Sequence, residues 1–292
     1  MGYRGRFAPS PTGPLHYGSL YTAVASFLQA RSKHGQWVLR IDDLDPFRCK
    51  PQYSHKILST LERYGLHWDE EVLYQSKRHA TYKEAFLDLQ QKKYLYRCQC
   101  SRKVLAKRQL NHGIYDQYCL NHPPPKQQAS AYRIKVDTDV VSFVDLIQGE
   151  CQQKLKEQLG DFVIYRKDQV YAYHLAVILD DDEQNISEVL RGYDLLDSSY
   201  RQVFLQRILQ LNTPHYAHIP VISAPNGIKL SKQTFAADIA LAPVKETLIK
   251  VFSHLNLNPD GDLIDLTPSE ILSWGAQQWA IDKIKPLSSI PL

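Results

Sequence analysis

The feature that most restricts the fold lies near the N-terminus, in "GRFAPSPTGPLHYGSLYTAVASFLQARSKHGQWVLRIDDLD", residues 5 to 45. "GRFAP" reads as a short strand halted by proline, "SLYTAVASFLQARSKHG" as a helix with apolar spacing closed by Gly35, and "QWVLRIDDLD" as a second strand. A strand, a glycine-containing turn, a helix and a strand make a βαβ unit. That unit implies a parallel sheet with a ligand crevice at the carboxyl ends of its strands.

The connection between the first strand and the helix is itself informative. Pro9, Pro11 and Pro14 lower the entropy cost of holding one loop shape, while Gly13 and Gly18 let a guest approach the main chain. A helix beginning near Gly18 offers unpaired N–H groups and a partial positive end, with His16 as a donor beside it, which suits a nucleotide phosphate. Taken alone, His16 reads more readily as a half-buried turn residue, because turn residues before helices are commonplace. Downstream, "KLSKQ" carries Lys229 and Lys232 around Ser231 just after a turn at Asn226 and Gly227. Lysines on such a loop can neutralise charge on a leaving pyrophosphate, although a lysine-rich pentapeptide alone is an ordinary surface turn. The two elements together, in a chain with βαβ patterning, point to nucleotide chemistry.

Helical patterns continue in "PQYSHKILSTLERYG" and "SKRHATYKEAFLDLQQKKY". From Cys98 to about Lys167 the character changes to cysteines, "NHPPPKQQAS" and short β-like runs, "AYRIKV" and "VSFVDLI", which read as an insertion. The helical and strand patterns resume with "YAYHLAVILDD" and "VLRGYDLLDSSYRQVFLQRIL", and a mostly helical tail follows. With 292 residues, 43% of them hydrophobic, the chain can bury a substantial core. "MGYRGRF" leads into no apolar h-region and no run approaches the roughly 20 apolar residues of a membrane span, so the expected location is cytoplasmic. A net charge of +4 permits a nucleic-acid partner without requiring one.

Five cysteines are too few for a disulfide scaffold, and Cys98, Cys100 and Cys119 crowd together in a way that suits a metal. Three thiolates ask for a fourth zinc ligand, ordinarily histidine, and His112 and His122 are both near.

At "FAPSPTGPLHYGS" and "KLSKQ" the sequence resembles the class I aminoacyl-tRNA synthetases specific for glutamate, whose HIGH-type and KMSKS-type motifs these segments match. "RIDDLDP", "YHLAVILDD" and "VLRGYDLL" are similar to the intervening blocks, in consistent order from Arg6 to Gln233. The resemblance implies an α/β fold, a Rossmann-type parallel sheet with a zinc-containing insertion and a small helical C-terminal region. The expected division is 1–95 and 170–240 for the catalytic domain, 96–169 for the insertion and 241–292 for the helical region, with no anticodon-binding domain. Only 59 residues follow Gln233, which is similar to the family's short members. Those transfer glutamate to queuosine, the modified wobble base in the anticodon stem-loop of aspartate tRNA, and the chain is expected to act as a monomer.

The resemblance implies ATP, L-glutamate and that tRNA as partners, with Mg²⁺ arriving with ATP. His16 and Lys232 take the catalytic roles; His16, Gly18, Ser19, Lys229, Ser231 and Lys232 hold ATP. Glutamate falls to Arg6, Ala8, Ser10, Asp42, Tyr173 and Arg191, with arginine favoured because its planar fork grips a carboxylate bidentately. At Asp42 the family normally places glutamate, facing the substrate ammonium; aspartate is shorter by about 1.5 Å. Tyr193 stands where a small residue is common. The family's pattern puts Tyr115 in "GIYDQYC" as the fourth zinc ligand, with His112 second. Arg102, Lys103, Lys107 and Arg108 are candidates for RNA phosphates, or simply a solvated helix face. A synthetase lacking its anticodon domain and acting on an acceptor end, a noncatalytic RNA-binding relative, and a small-molecule adenylyltransferase are the competing readings. Intact His16, Lys232, Arg6 and Arg191 weigh against loss of activity, and the arginine pair against the adenylyltransferase.

Overall fold

A computed structural model describes residues 2–108, 110, 114–138, 140–223 and 238–292. Lys229, Ser231 and Lys232 on the lysine loop, with Asn226 and Gly227, and His112 lie outside the described residues.

The N-terminal half builds the expected unit. Strand β1 (Arg4–Phe7), helix α1 (Tyr17–Ser32) and strand β2 (Gln36–Ile41) form a βαβ crossover, with β2 parallel to β1. Helix α2 (Pro51–Arg63) then leads to β3 (Asp69–Tyr74), parallel to β2. Both β1 and β2 are largely buried, and α1 buries every side chain from Leu20 to Ala30 except Thr22, because this layer is covered on both sides. Gly35 is needed for a different reason than a left-handed cap: His34 takes the positive φ of 50°. A Cβ at Gly35 would stand 2.5 Å from the Tyr3 carbonyl oxygen, so glycine lets the chain turn tightly into β2.

Helix α3 (His79–Gln91) precedes β4 (Leu95–Cys98), and short helices α4 (Arg102–Lys107) and α5 (Tyr118–Asn121) follow. Strand β5 (Ala131–Ile134) pairs antiparallel with β4. The next hairpin, β6 (Val141–Asp145) and β7 (Gly149–Gln153), departs from the expected insertion. It leaves the β4–β5 sheet, which is completed after α6 (Leu155–Gln158) by β8 (Phe162–Tyr165). Instead β6 runs parallel to β10 (His215–Ile219), which lies parallel to β9 (Glu188–Gly192). The hairpin therefore extends the sheet that the sequence resumes only at Glu188. Register was not legible because this pairing is wholly non-local. Helices α7 (Tyr173–Glu183) and α8 (Leu196–Leu209) flank β9.

The Ser187 amide, one residue before β9, donates to the Arg4 carbonyl at 2.9 Å and sets β9 beside β1. The strands thus run β3, β2, β1 outward on one side and β9, β10, β6, β7 on the other. Order reverses between β1 and β9, and a crevice opens where such sheets bind ligands, at the carboxyl ends of those two strands. The tail holds α9 (Val244–His254) and α10 (Pro268–Gln278), the latter begun by a capping box between Thr267 and Glu270. It is not helical throughout: β12 (Ser289–Pro291) pairs parallel with β11 (Val221–Ser223), returning the C-terminus to the main body. Phe252, Leu255, Ile271 and Leu272 join the core beneath α1 and β1. No helix among the described residues is long and apolar enough to cross a membrane.

Candidate active site

The crevice is a cavity of 390 Å³. Arg6, Phe7, Ala8 and Pro9 line it from the end of β1, and Leu190, Arg191 and Gly192 from the end of β9. Ser10, His16, Gly18, Ser19 and Tyr173 complete the set expected from sequence, apart from Asp42 and the lysine loop. A second cavity of 360 Å³ shares Ser10, Thr12, Arg48 and Tyr173 with the first and adds Asp42, Asp45 and Gln75. All six residues expected to contact the amino acid therefore surround two adjoining spaces.

Two buried guanidinium groups dominate the first space. Arg191 donates from Nη1 to the Tyr173 hydroxyl at 3.2 Å, from Nη2 to Ser199 Oγ at 2.8 Å and Gln202 Oε1 at 2.6 Å, and from Nε to His218 Nε2 at 3.1 Å. None of these partners carries a carboxylate, so its positive charge is kept in the cavity wall without a direct counterion among them. A buried cation in that state asks for an anion. Arg6 is different, since it donates from Nε and Nη2 to the two oxygens of Asp181 at 3.2 and 3.4 Å. Those bonds are long for a charged pair, and Asp181 also receives Arg40 Nη1 at 2.6 Å.

Asp42 is only 6% exposed. Its Oδ1 accepts from Arg40 Nε at 2.8 Å. Burial pushes the carboxyl up to a pKa of about 6, with the Arg40 charge opposing the shift. The carboxylate is thus held by Arg40 in the wall of the second cavity.

His16 is the N-cap of α1, and the helix starts at Tyr17. The expectation that the Ser19 amide is open to a phosphate needs correction: it donates to the His16 carbonyl at 2.9 Å and to His16 Nδ1 at 3.3 Å. Ser19 offers its hydroxyl instead, 3.1 Å from His16 Nε2. A Cβ on Gly18 would stand 3.3 Å from the His16 ring, so the glycine keeps the imidazole against the helix end.

Outside the lining of both cavities, Cys98 at the end of β4, Cys100 and Cys119 on α5 bring three thiols within 4.8 Å of one another. The Tyr115 hydroxyl lies 3.5 Å from Cys98 Sγ and 3.6 Å from Cys100 Sγ. It also accepts the Cys119 amide at 2.9 Å. With metal–sulfur bonds of about 2.3 Å, tetrahedral ligands stand about 3.8 Å apart, so the donor set fits a metal of zinc's size. Arg133 approaches Cys98 Sγ to 3.3 Å and lies 3.9 Å above the Tyr115 ring, placing positive charge beside the sulfurs. Gly160, at a φ of +62°, permits Ile114 and Tyr115 to pack against it, for a Cβ there would meet Ile114 Cγ2 at 2.7 Å.

The model of the class I tRNA synthetases (E and Q), catalytic domain, matches residues 3–247. The chain belongs to this family. Among curated relatives, the glutamyl-Q tRNA(Asp) synthetase of Methylococcus capsulatus is 46% identical over 285 residues, covering 97% of this chain and 93% of that one. That of Neisseria meningitidis serogroup A is 45% identical over 288 residues, covering 97% of each. The fold is similar to a glutamate tRNA ligase from Elizabethkingia meningosepticum crystallised with its amino acid, with a TM-score of 0.81 at 24% identity, covering 99% of this chain and 67% of that one. The synthetase is therefore a ligase with the α/β architecture expected from its sequence.

Sequence reading missed several residues of this synthetase's site. Arg40, Asp180 and Asp181 form a buried charge network, with Arg40 Nε 3.8 Å from Asp180 Oδ2. Their signal was a cation and acids inside otherwise apolar β2 and α7. His174 on α7 lines the second cavity, and burial, reinforced by Arg201 and Arg191, lowers its pKa to about 3, keeping it neutral. His218 and Asp145, behind Arg191, had no sequence signal, for they come from two strands that only the fold brings together.

Proposed function

We propose that the synthetase activates glutamate with ATP to glutamyl-adenylate without tRNA, and then transfers the glutamyl group to a hydroxyl of queuosine at the wobble position of tRNA(Asp). The carrying observation is the pairing of Arg191, a buried cation hydrogen-bonded to the neutral groups of Tyr173, Ser199, Gln202 and His218, with Arg6 across one cavity at the β1–β9 switch point. Relatives named glutamyl-Q tRNA(Asp) synthetase, similar over nearly the whole chain, support the choice of acceptor.

In the first step an oxygen of the α-carboxylate attacks the α-phosphorus, the bond to the bridging oxygen breaks, and pyrophosphate leaves. In the second, the acceptor hydroxyl attacks the acyl carbon of glutamyl-adenylate, releasing AMP and a proton. Arg6 and Arg191 hold the side-chain carboxylate, aided by Tyr173, and Asp42 holds the ammonium, while Ala8 and Ser10 bound the substrate. His16, Gly18 and Ser19 hold ATP phosphates, with Lys229, Ser231 and Lys232 assigned the pyrophosphate side. Mg²⁺ arriving with ATP would neutralise phosphate charge. Fixing the reactants in this geometry supplies most of the catalysis, because no protein nucleophile is needed.

Cys98, Cys100, Cys119 and Tyr115 would hold zinc, which would tie the insertion together without entering the chemistry. In this reading 1–95 and 170–240, joined by the β6–β7 hairpin, form the catalytic unit of a monomer acting in the cytoplasm. The rest of 96–169 and the 241–292 region grip the anticodon stem-loop, whose unstacked bases are open to recognition. The test is ATP–pyrophosphate exchange with each amino acid and no RNA: glutamate alone supports it if the reading holds. Exchange that requires added tRNA contradicts the tRNA-independent activation.

A further inference from the structure

Arg191 is aimed by a buried pair that the reaction itself does not use. Asp145 Oδ2, on β6, lies 2.6 Å from His218 Nδ1, on β10, and both side chains are wholly buried. The other ring nitrogen, Nε2, faces Arg191 Nε at 3.1 Å and Ser199 Oγ at 3.0 Å. An arginine Nε carries a hydrogen and no accepting lone pair, so Nε2 must accept. Nδ1 must then hold the proton and donate to Asp145. Burial, the largest influence, pushes the His218 pKa down despite the Asp145 carboxylate, in keeping with a neutral ring.

The carboxylate that selects this tautomer is itself locked. Asp145 Oδ1 accepts backbone amides of Ile147 at 3.0 Å, Gln148 at 2.9 Å and His218 at 3.1 Å. Three donors on one oxygen leave only Oδ2 for the histidine. The chain of contacts therefore runs from the β6 turn through His218 to the Nε edge of Arg191, opposite the Nη1 nitrogen that meets Tyr173 in the cavity wall.

We infer that Asp145 and His218 form a positioning relay for Arg191, holding its guanidinium plane for the side-chain carboxylate of the amino acid and so setting glutamate affinity. The inference rests on the glutamate-activating function proposed above. It also gives the β6–β7 hairpin a role: by joining the main sheet it carries Asp145 to the back of the site.

Asp145→Asn is the sharpest perturbation. Its amide oxygen is claimed by the three backbone donors, which turns the NH₂ toward His218 Nδ1. That nitrogen must then accept, the proton moves to Nε2, and two donors confront each other at Arg191. His218→Phe removes the acceptor with the ring volume kept, whereas His218→Gln retains an acceptor for Arg191 and a donor for Asp145.

The experiment measures glutamate KM, ATP KM and kcat in pyrophosphate exchange for the four proteins, with ¹⁵N spectra of histidine-labelled wild type and Asp145→Asn. The relay predicts glutamate KM raised about tenfold or more in Asp145→Asn and His218→Phe, with kcat and ATP KM changed by less than about threefold. It also predicts near-wild-type values for His218→Gln, and an Nδ1-protonated His218 that becomes Nε2-protonated in Asp145→Asn. Unchanged glutamate KM in Asp145→Asn, equal losses in His218→Gln and His218→Phe, or a wild-type His218 protonated on Nε2 overturns it. If His218→Phe fails to fold, Asp145→Asn and His218→Gln decide the matter. Wild-type exchange that ignores glutamate overturns the inference together with the function beneath it, and is told apart because the unmutated protein shows it.

Discussion

Replacing Asp42 with asparagine isolates the group proposed to meet the substrate ammonium. Burial holds the Asp42 carboxyl at a pKa of about 6, opposed by Arg40, against about 3.9 in an unfolded chain. Because the folded value is the higher one, Asp42 favours the unliganded fold most below the unfolded value, and that contribution is lost as pH rises through about 6. Glutamate affinity runs the other way, since the ammonium needs the ionised carboxylate. At pH 5 about one-tenth as much Asp42 is ionised as at pH 7, so glutamate KM should rise about tenfold over that interval. Asparagine keeps the size and an oxygen for Arg40 Nε, and Arg40 retains Asp181 at 2.6 Å, so the network survives the change. The lost charge-assisted bond is worth about 1.5–3 kcal/mol, or about ten- to a hundredfold in KM. Pyrophosphate exchange at varied glutamate between pH 5 and 7 reads both effects. A variant with wild-type KM, or one keeping the wild-type rise in KM toward pH 5, refutes the placement of the ammonium.

Arg191→Lys should raise glutamate KM about tenfold or more while leaving ATP KM near wild type, because lysine cannot reproduce the fork that reaches Tyr173, Ser199 and Gln202 together; comparing the two KM values checks it. Protein purified without added metal should contain one zinc per chain by elemental analysis, and Cys119→Ala should lose it. Tyr115→Phe should weaken zinc retention against a chelator; full retention would move the fourth ligand to His112. Asp42→Glu should lower glutamate KM if the short side chain is a compromise, whereas abolished exchange would mean a pocket rebuilt around aspartate.

The parts of the structure readable in sequence are those governed by local chemistry. Prolines 9, 11 and 14, the apolar spacing of α1 and the run "QWVLRI" announce the βαβ unit without reference to anything distant. The cysteine cluster is similarly local, spanning Cys98 to Cys119. What stayed hidden depends on pairing across long sequence separations. "VSFVDLI" reads as a strand in any sheet; only packing decides that it joins β10 and delivers Asp145 to His218. The engagement of Arg6 with Asp181 was equally invisible, since a helix pattern says nothing about which strand its acids will face. His16 was legible as a phosphate candidate, but its capping of Ser19 follows from backbone geometry that residue types do not specify.

The central claim is the acceptor, and glutamyl transfer tests it most directly. Purified protein with ATP, Mg²⁺ and radiolabelled glutamate should place label on aspartate tRNA containing queuosine and none on the same tRNA carrying an unmodified guanosine. Label on the terminal adenosine of glutamate tRNA, with none on the queuosine-bearing substrate, would contradict the account.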